Sequence, residues 1–307
     1  MPQQIQLEET CTDKLEIIRG RYNVGVKGNG FHYLFSGFNA MEGGLISIKF
    51  NGEEFIKDTV KATFFRAITP NERSMFKYFG HRYIGYSKNQ WLLPLNSHTK
   101  VSKYDGKSVT VTMVYWILDL PRIRRVKIEY QIFNSGDMRV KATYRKHLFD
   151  AEFNQFGLMF KVPNKIKSFT YYGLGSGESY PDRYIGQKIG VYETKPENEF
   201  VNYIFPQECG NHTYTRYAII EGKEGQKLGF YSLNKSFNFK CLPYSDLEID
   251  NATHQDELPK HKYTYITICD KVRGVGGDNS WDDPCHAQYK LKKKGKYTVE
   301  FLIKKEK

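Results

Sequence analysis

Apolar and polar residues alternate with a period of two over most of this chain, the pattern of strands that bury one face and wet the other. Val126, Ile128, Tyr130 and Ile132 fill one face of a run whose other face is Lys127, Glu129 and Gln131. Asn134-Ser135-Gly136-Asp137 turns that run, and residues 139–145 return. Ahead of it, Val109, Val111 and Met113 alternate with Thr110, Thr112 and Val114, and the run continues through Tyr115-Trp116-Ile117. Residues 22–26, the turn Lys27-Gly28-Asn29-Gly30 and residues 31–35 predict a hairpin. Ile46, Ile48 and Phe50 lead into Asn51-Gly52, the strongest short hairpin signal, with residues 53–57 returning. Further strands are expected at 64–68, 157–162, 167–172, 214–221, 227–232, 237–242, 262–269 and 297–303. No stretch longer than about twelve residues keeps a helical period. The fold expected is all-β and antiparallel, a sandwich without repeat or linker. A polar arm over residues 1–13 would precede a single domain over residues 14–307.

Composition narrows the function classes. A chain of 307 residues holds one large all-β domain or two smaller ones, and an aromatic content of 15% favours sheet. The net charge of +12 admits nucleic acid, an anionic membrane surface or an acidic partner. The lysines, however, are scattered and dense only over residues 290–307, as on solvated strand faces and protected edges, so neither nucleic acid nor membrane is expected. Cys11, Cys209, Cys241, Cys269 and Cys285 are odd in number, far apart and without a C-x-x-C spacing. They suit free thiols in a reducing cytoplasm better than disulfides or zinc. The first thirteen residues have no apolar segment of signal-peptide type, and no run approaches a membrane span.

The stretch with the most chemical content is Gly274-Val275-Gly276-Gly277-Asp278-Asn279-Ser280-Trp281. Glycines permit positive φ and close backbone approach, while Asp, Asn and Ser fold back onto nearby amides. Trp281 at the end of such a loop either plugs the edge of a core or offers a stacking face to a flat ligand such as a sugar. The eight histidines show neither H-x-H nor H-E-x-x-H spacing, so no metal site is expected from this chain. Gly173-Leu174-Gly175-Ser176-Gly177 lacks the Lys-Ser/Thr and the helix of a phosphate cradle and reads as a turn. Cys209 has only His212 nearby, which is not a nucleophile's triad.

The glycine loop with Trp281 resembles the C-terminal domain of glycoside hydrolase family 2 β-galactosidases. Other segments agree in the same order: Phe64-Phe65-Arg66-Ala67, Tyr172-Gly173-Leu174-Gly175 with residues 178–183, Pro206-Gln207-Glu208-Cys209-Gly210, and Asn251-Ala252-Thr253-His254 with Glu257-Leu258-Pro259. The resemblance runs from about residue 15 to 302 and points to the small subunit of two-chain bacterial enzymes. It implies a large two-sheet β-supersandwich of galactose-mutarotase type. It also implies a large β-galactosidase subunit as partner, a β-galactoside such as lactose as substrate, and Trp281 as a wall of the substrate site. Asp278, Asn279 and Ser280 would support that loop, and Asn71 and Arg73 on the neighbouring 69–74 loop would lie beside it. The catalytic glutamates, and the family's Mg²⁺ and Na⁺, belong by resemblance to a barrel domain that this chain lacks, so no catalytic residue, metal ligand or cofactor is expected here.

Retaining hydrolysis uses two carboxyl groups about 5–5.5 Å apart. Glu178 and Asp182 invite that reading, but Asp182 beside Arg183 in a Pro-containing turn suits an ion-pair device, and the Glu208 motif suits a structural turn. The chain departs from the family at Phe65, at Pro70-Asn71-Glu72, at Ser74, at Cys209 and at Asp282, where Trp, Asp-Asn-Asp, Gly, Asn and Gly are usual. A second reading is therefore a non-catalytic carbohydrate-binding or partner-docking protein of the same fold. A third, an isomerase, requires a His and a Glu facing each other in a cleft.

Overall fold

The computed structural model describes residues 13–37, 43–73, 92–94, 100–119, 122–163, 166–279 and 285–306. The expected arm therefore lies outside the described residues, apart from Asp13, whose carboxylate accepts a hydrogen bond from Asn29 Nδ2 at 3.1 Å.

The alternating runs become long antiparallel strands. β9 (Ser108–Asp119), β10 (Arg122–Phe133) and β11 (Met138–Lys146) lie side by side, with Ile128 opposite both Met113 and Ala142. β20 (Gly295–Glu306) joins β11 and then pairs with β17 (Lys227–Ser232). Beyond β17 follow β16 (Tyr217–Gly222), β13 (Ile166–Gly175) and, at the edge, β14 (Lys188–Thr194). With β7 (Leu92–Pro94) and β8 (Lys100–Val101) on β9, these make a ten-stranded sheet. Every second residue points inward, as the period-two pattern requires: Val126, Ile128, Tyr130 and Ile132 are fully buried.

Two five-stranded sheets cover the inner face of that long sheet. The first contains β1 (Glu16–Arg19), β2 (Asn23–Gly28), β3 (Phe31–Ser36), β4 (Gly44–Phe50) and β5 (Glu53–Glu54) in chain order. Two of its hairpin turns fall at Asn29-Gly30 and Asn51-Gly52, and Asn51 and Gly52 take φ of 51° and 85° as a type I′ turn demands. The second runs β15 (His212–Thr215), β18 (Phe237–Leu242), β19 (Tyr263–Val272), β12 (Gln155–Pro163) and β6 (Lys61–Thr63). Ring contacts join the layers. Phe35 meets Tyr130 at 5.1 Å from the first sheet, and Phe160 meets Phe230 at 5.5 Å from the second. One continuous apolar core spans all three sheets. The all-β antiparallel expectation holds, with one face of the sandwich divided between two sheets.

Three local expectations are corrected. The strand expected at 64–68 ends at Thr63, because side chains and a neighbouring loop take the carbonyls that a ladder would use. Phe64 O accepts from Asn154 N and Gln155 N, and Phe65 O accepts from Thr63 Oγ1 and Gln155 Nε2. The run 214–221 is broken at Arg216 into β15 and β16, which belong to different sheets, and Tyr214 has a φ of 55°. Gly173 and Gly175 are not in a turn but at the end of β13, where a Cβ on Gly175 would stand 2.4 Å from Tyr171 Oη. Edge strand β14 has no counterpart among the expected strands, since its Ile189 and Val191 face solvent.

At Gly157 the register of β12 on β19 shifts, and an added Cβ would lie 2.1 Å from Ile268 O. Backbone cannot yield there as a side chain tip can. Gly157→Ala is expected to cost about 1–3 kcal/mol. Urea unfolding should show a lower midpoint at an unchanged slope.

Candidate functional site

β6 and β19 both pair antiparallel with β12, so they run in the same direction and leave the sheet at the same end. The segment after β6 (64–73) and the segment after β19 (273–279) therefore emerge side by side. Residues 70–73 are helical, and Pro70 opens that turn, where its missing N–H costs nothing.

A fully buried arginine binds the two segments. Arg66 Nη2 and Nη1 donate to the two carboxylate oxygens of Glu72 at 2.9 and 3.1 Å, a bidentate pair. Nη1 also donates to Ala67 O at 3.2 Å and Nη2 to Gly274 O at 2.9 Å. Glu72 accepts further bonds from Thr69 N and Oγ1, and Arg273 Nε lies 3.7 Å from its Oε1. The charge is thus compensated on several sides, which a buried ion pair requires. Asn71 Nδ2 donates to Asn279 O at 2.8 Å, a second tie between the loops. Arg73 lies 3.6 Å from the centre of the Phe205 ring. Burial lowers its pKa and the nearby Asp250 opposes that.

The glycine loop rests on a carboxylate. Asp182 Oδ1 accepts from Val275 N at 3.1 Å and Oδ2 accepts from Gly276 N at 2.8 Å. A Cβ on Gly274 would stand 2.3 Å from Asp182 Oδ2 and 2.9 Å from Tyr289 Cβ. Close approach, not a left-handed φ, is why glycine is needed at 274. Asp278 Oδ1 accepts from His286 Nε2 at 2.7 Å, at the exposed end of the loop. Ser280 and Trp281 lie outside the described residues.

Asp182 does not serve as Arg183's ion-pair partner. Arg183 Nη2 pairs with Glu178 Oε1 at 3.0 Å, and Glu178 also accepts from Tyr203 Oη at 2.6 Å and Gly210 N at 2.8 Å. Both carboxylates of the tempting pair are thus committed to holding loops. The Glu208 motif is more than a turn. Lys240 Nζ donates to both oxygens of Glu208 at 3.0 and 2.9 Å and to Asp246 at 2.6 Å, all buried. Tyr180 Oη donates to Glu208, and Gln155 Nε2 donates to Asp246. Two carboxylates share one ammonium. Burial disfavours the Lys240 charge, but Asp246 and Glu208 outweigh it and raise its pKa. At Glu208 burial prevails over Lys240, Asp246 adds repulsion, and the pKa is pushed up to about 7. Sequence spacing gave no sign of this hub, because Lys240 reads as an ordinary strand lysine.

Burial raises the Cys209 thiol far above its ordinary range, so it is no nucleophile. His212 Nε2 and Glu199 Oε2 are 2.7 Å apart, but both are buried, with Tyr171 stacked 4.1 Å from the imidazole, so they face no cleft. His254 bonds within its own turn, to Thr253 and Glu257. Among the described residues no group of three His, Cys, Asp or Glu side chains is placed to hold a metal ion.

The family model described as β-galactosidase small chain matches residues 27–303. The chain belongs to that family. It is 33% identical to a β-galactosidase small subunit from Latilactobacillus sakei, over 91% of this chain and 94% of that protein. It is 35% identical to a β-galactosidase from Streptococcus thermophilus, over 98% of this chain but 29% of that protein. The chain thus spans less than a third of that longer relative. A solved structure from Escherichia coli K12, described as a candidate aldose 1-epimerase, superposes with a TM-score of 0.51 at 10% identity, over 95% of this chain and 99% of that one. The fold is the galactose-mutarotase-like supersandwich, and so low an identity speaks for fold alone.

Glu208 has a folded-state pKa above its unfolded value of about 4.5, so the native state binds the proton more tightly. Its contribution is most favourable below about pH 4.5 and is lost as pH rises through about 7. Glu208→Gln should therefore gain stability relative to the parent as pH rises from 5 to 8. Paired thermal melts across that range check this; a difference that stays flat or reverses would contradict the assignment.

Proposed function

We propose that this chain is the small subunit of a heteromeric β-galactosidase that hydrolyses terminal β-D-galactosides such as lactose. The observation that carries the reading is the family match over residues 27–303, together with near-complete coverage of a small-subunit relative. In this reading a large partner chain supplies the barrel, the acid/base and the nucleophile of a retaining mechanism, which needs two carboxyl groups about 5–5.5 Å apart. Any Mg²⁺ or Na⁺ belongs to the partner as well. The thiols of Cys209, Cys241, Cys269 and Cys285 are free and buried, which suits a reducing compartment such as the cytoplasm.

The chain's own contribution is a positioned aromatic. Trp281 presents its ring to the apolar C–H face of the galactosyl group and keeps water from that side. Its loop is supported from beneath by Asp182 and from the side by Arg66 and Asn71. Asp278 and Asn279 act as supports rather than substrate contacts, and Ser280 shares that role. Support from hydrogen-bonded side chains held by the packed scaffold is what lets a loop residue hold its place in a site.

Two measurements test this. Mixing the chain with the large β-galactosidase chain of the same cell should generate galactoside hydrolysis that neither chain shows alone. In that complex Trp281→Ala should raise KM or the Ki of galactose by roughly tenfold or more, as lost aromatic stacking does. Folding of the isolated variant should be nearly unchanged. A Trp281→Ala chain that unfolds while its complex keeps full substrate affinity would make the indole a core residue instead.

A further inference from the structure

We infer that the apolar surface around edge strand β14 and the 184–185 turn is where the large chain docks; this rests on the subunit reading above. Large apolar side chains are concentrated there. Ile185 is 96% exposed and Ile204 94%, and Ile189, Val191, Tyr184 and Tyr214 are also exposed. Ile189 and Val191 stand on the outer side of β14, which among the described residues ends the ten-stranded sheet. An edge strand with two solvent-facing β-branched residues is an invitation to pairing, and proteins cover or charge such edges. The exposed charges of β14, Lys188 and Glu193, flank these two residues and leave them uncovered. The apolar row continues inward from Val191 through Tyr172, Tyr217 and Tyr231, which are cross-strand neighbours with ring centres 5.8 and 5.9 Å apart.

The occupant follows from what this surface adjoins. The 184–185 turn comes directly after Asp182, which holds the glycine loop, and Arg183, which pairs with Glu178. Arg183 also donates to Tyr203, the neighbour of Ile204. One hydrogen-bonded unit therefore links the apolar surface to the Trp281 loop, and a partner seated on the first lies beside the second. The Streptococcus thermophilus relative carries the matching region as 29% of a longer chain. The Latilactobacillus sakei relative, matched over 94% of its length, is itself a small subunit, and a separate subunit has to hold its neighbour without a covalent link, which calls for a large apolar contact. A second copy of this chain would cover the edge equally well but would not explain the adjacency to the loop.

The test compares Ile185→Glu and Val191→Glu with Leu148→Glu, a change at an exposed apolar residue elsewhere on the surface. Binding to the purified large chain is measured by sedimentation, and each variant's fold by circular dichroism and Tm. The two β14-side variants should weaken the complex by at least about thirtyfold, the scale of a buried hot spot, with Leu148→Glu unchanged. Equal affinity for parent and both variants overturns the inference while leaving the subunit reading intact. Should Val191→Glu disturb the sheet, Ile185→Glu alone decides, because that side chain makes almost no contact in the isolated chain. If the parent binds no large chain, the subunit reading itself falls, and this inference with it. Loss of self-association in Ile185→Glu at undiminished affinity for the large chain would make the surface a contact between copies and would also overturn it.

Discussion

The arrangement of this molecule's working end depends on one buried guanidinium. Arg66 has its charge met by Glu72 and gives a remaining donor to Gly274 O. Glu72 belongs to the same segment as Arg66, so what ties the two loops is the buried bond to Gly274 O and Arg273 beside Glu72, and moving one loop off the other would leave these buried groups without their partners. That fixes the 64–73 segment against the 273–279 segment, and Asp182 then sets the height of the glycine loop from below. The antiparallel order β19-β12-β6 brings both segments to one end of the sheet, and the contacts of Arg66 with Gly274, Glu72 with Arg273 and Asn71 with Asn279 turn that nearness into a defined geometry.

Beneath it lies the Lys240–Glu208–Asp246 hub. It sits between β18 and the short helix Asp246–Asn251, whose N-terminus is closed by a capping box between Ser245 and Glu248. Three charges in a buried place stabilise little by themselves, but they specify one arrangement of the strands and loops they join. Tyr180 ties this hub to the turn that carries Asp182. The glycine loop is therefore seated on two linked polar layers within a sandwich otherwise filled by aromatic and β-branched side chains. That division suits the proposed role, in which the loop holds Trp281 in place for chemistry done on the partner chain.

Much of the fold was legible in the alternation of side chains. The hairpins at Asn29-Gly30 and Asn51-Gly52 and strands such as β17 and β18 follow directly from pattern and turn chemistry. Failures fell where polar side chains override the backbone ladder. Phe64–Ile68 has a strand's composition, yet Gln155 and Asn154 intercept its carbonyls. Strand β14 escaped because its apolar residues point outward, and inward burial is what alternation normally reports. At the site, the glycines of 274–277 were legible as a loop, but their reason was not. Asp182 is remote in sequence and looks like a partner for the adjacent Arg183, whereas Arg183 reaches Glu178 instead. Pairings across such separations leave no trace in local spacing. The strongest functional signal came from several short motifs in the right order, and the family match bears that out.

The most direct test is a crystal or cryo-electron structure of this chain bound to a large β-galactosidase subunit and a galactoside. The account predicts the Trp281 ring within about 4 Å of the sugar's apolar face, contact distance for stacked carbon atoms. It also predicts both reacting carboxylates on the other chain. An indole enclosed by its own sandwich, with the galactoside bound far from the 274–279 loop, would contradict it.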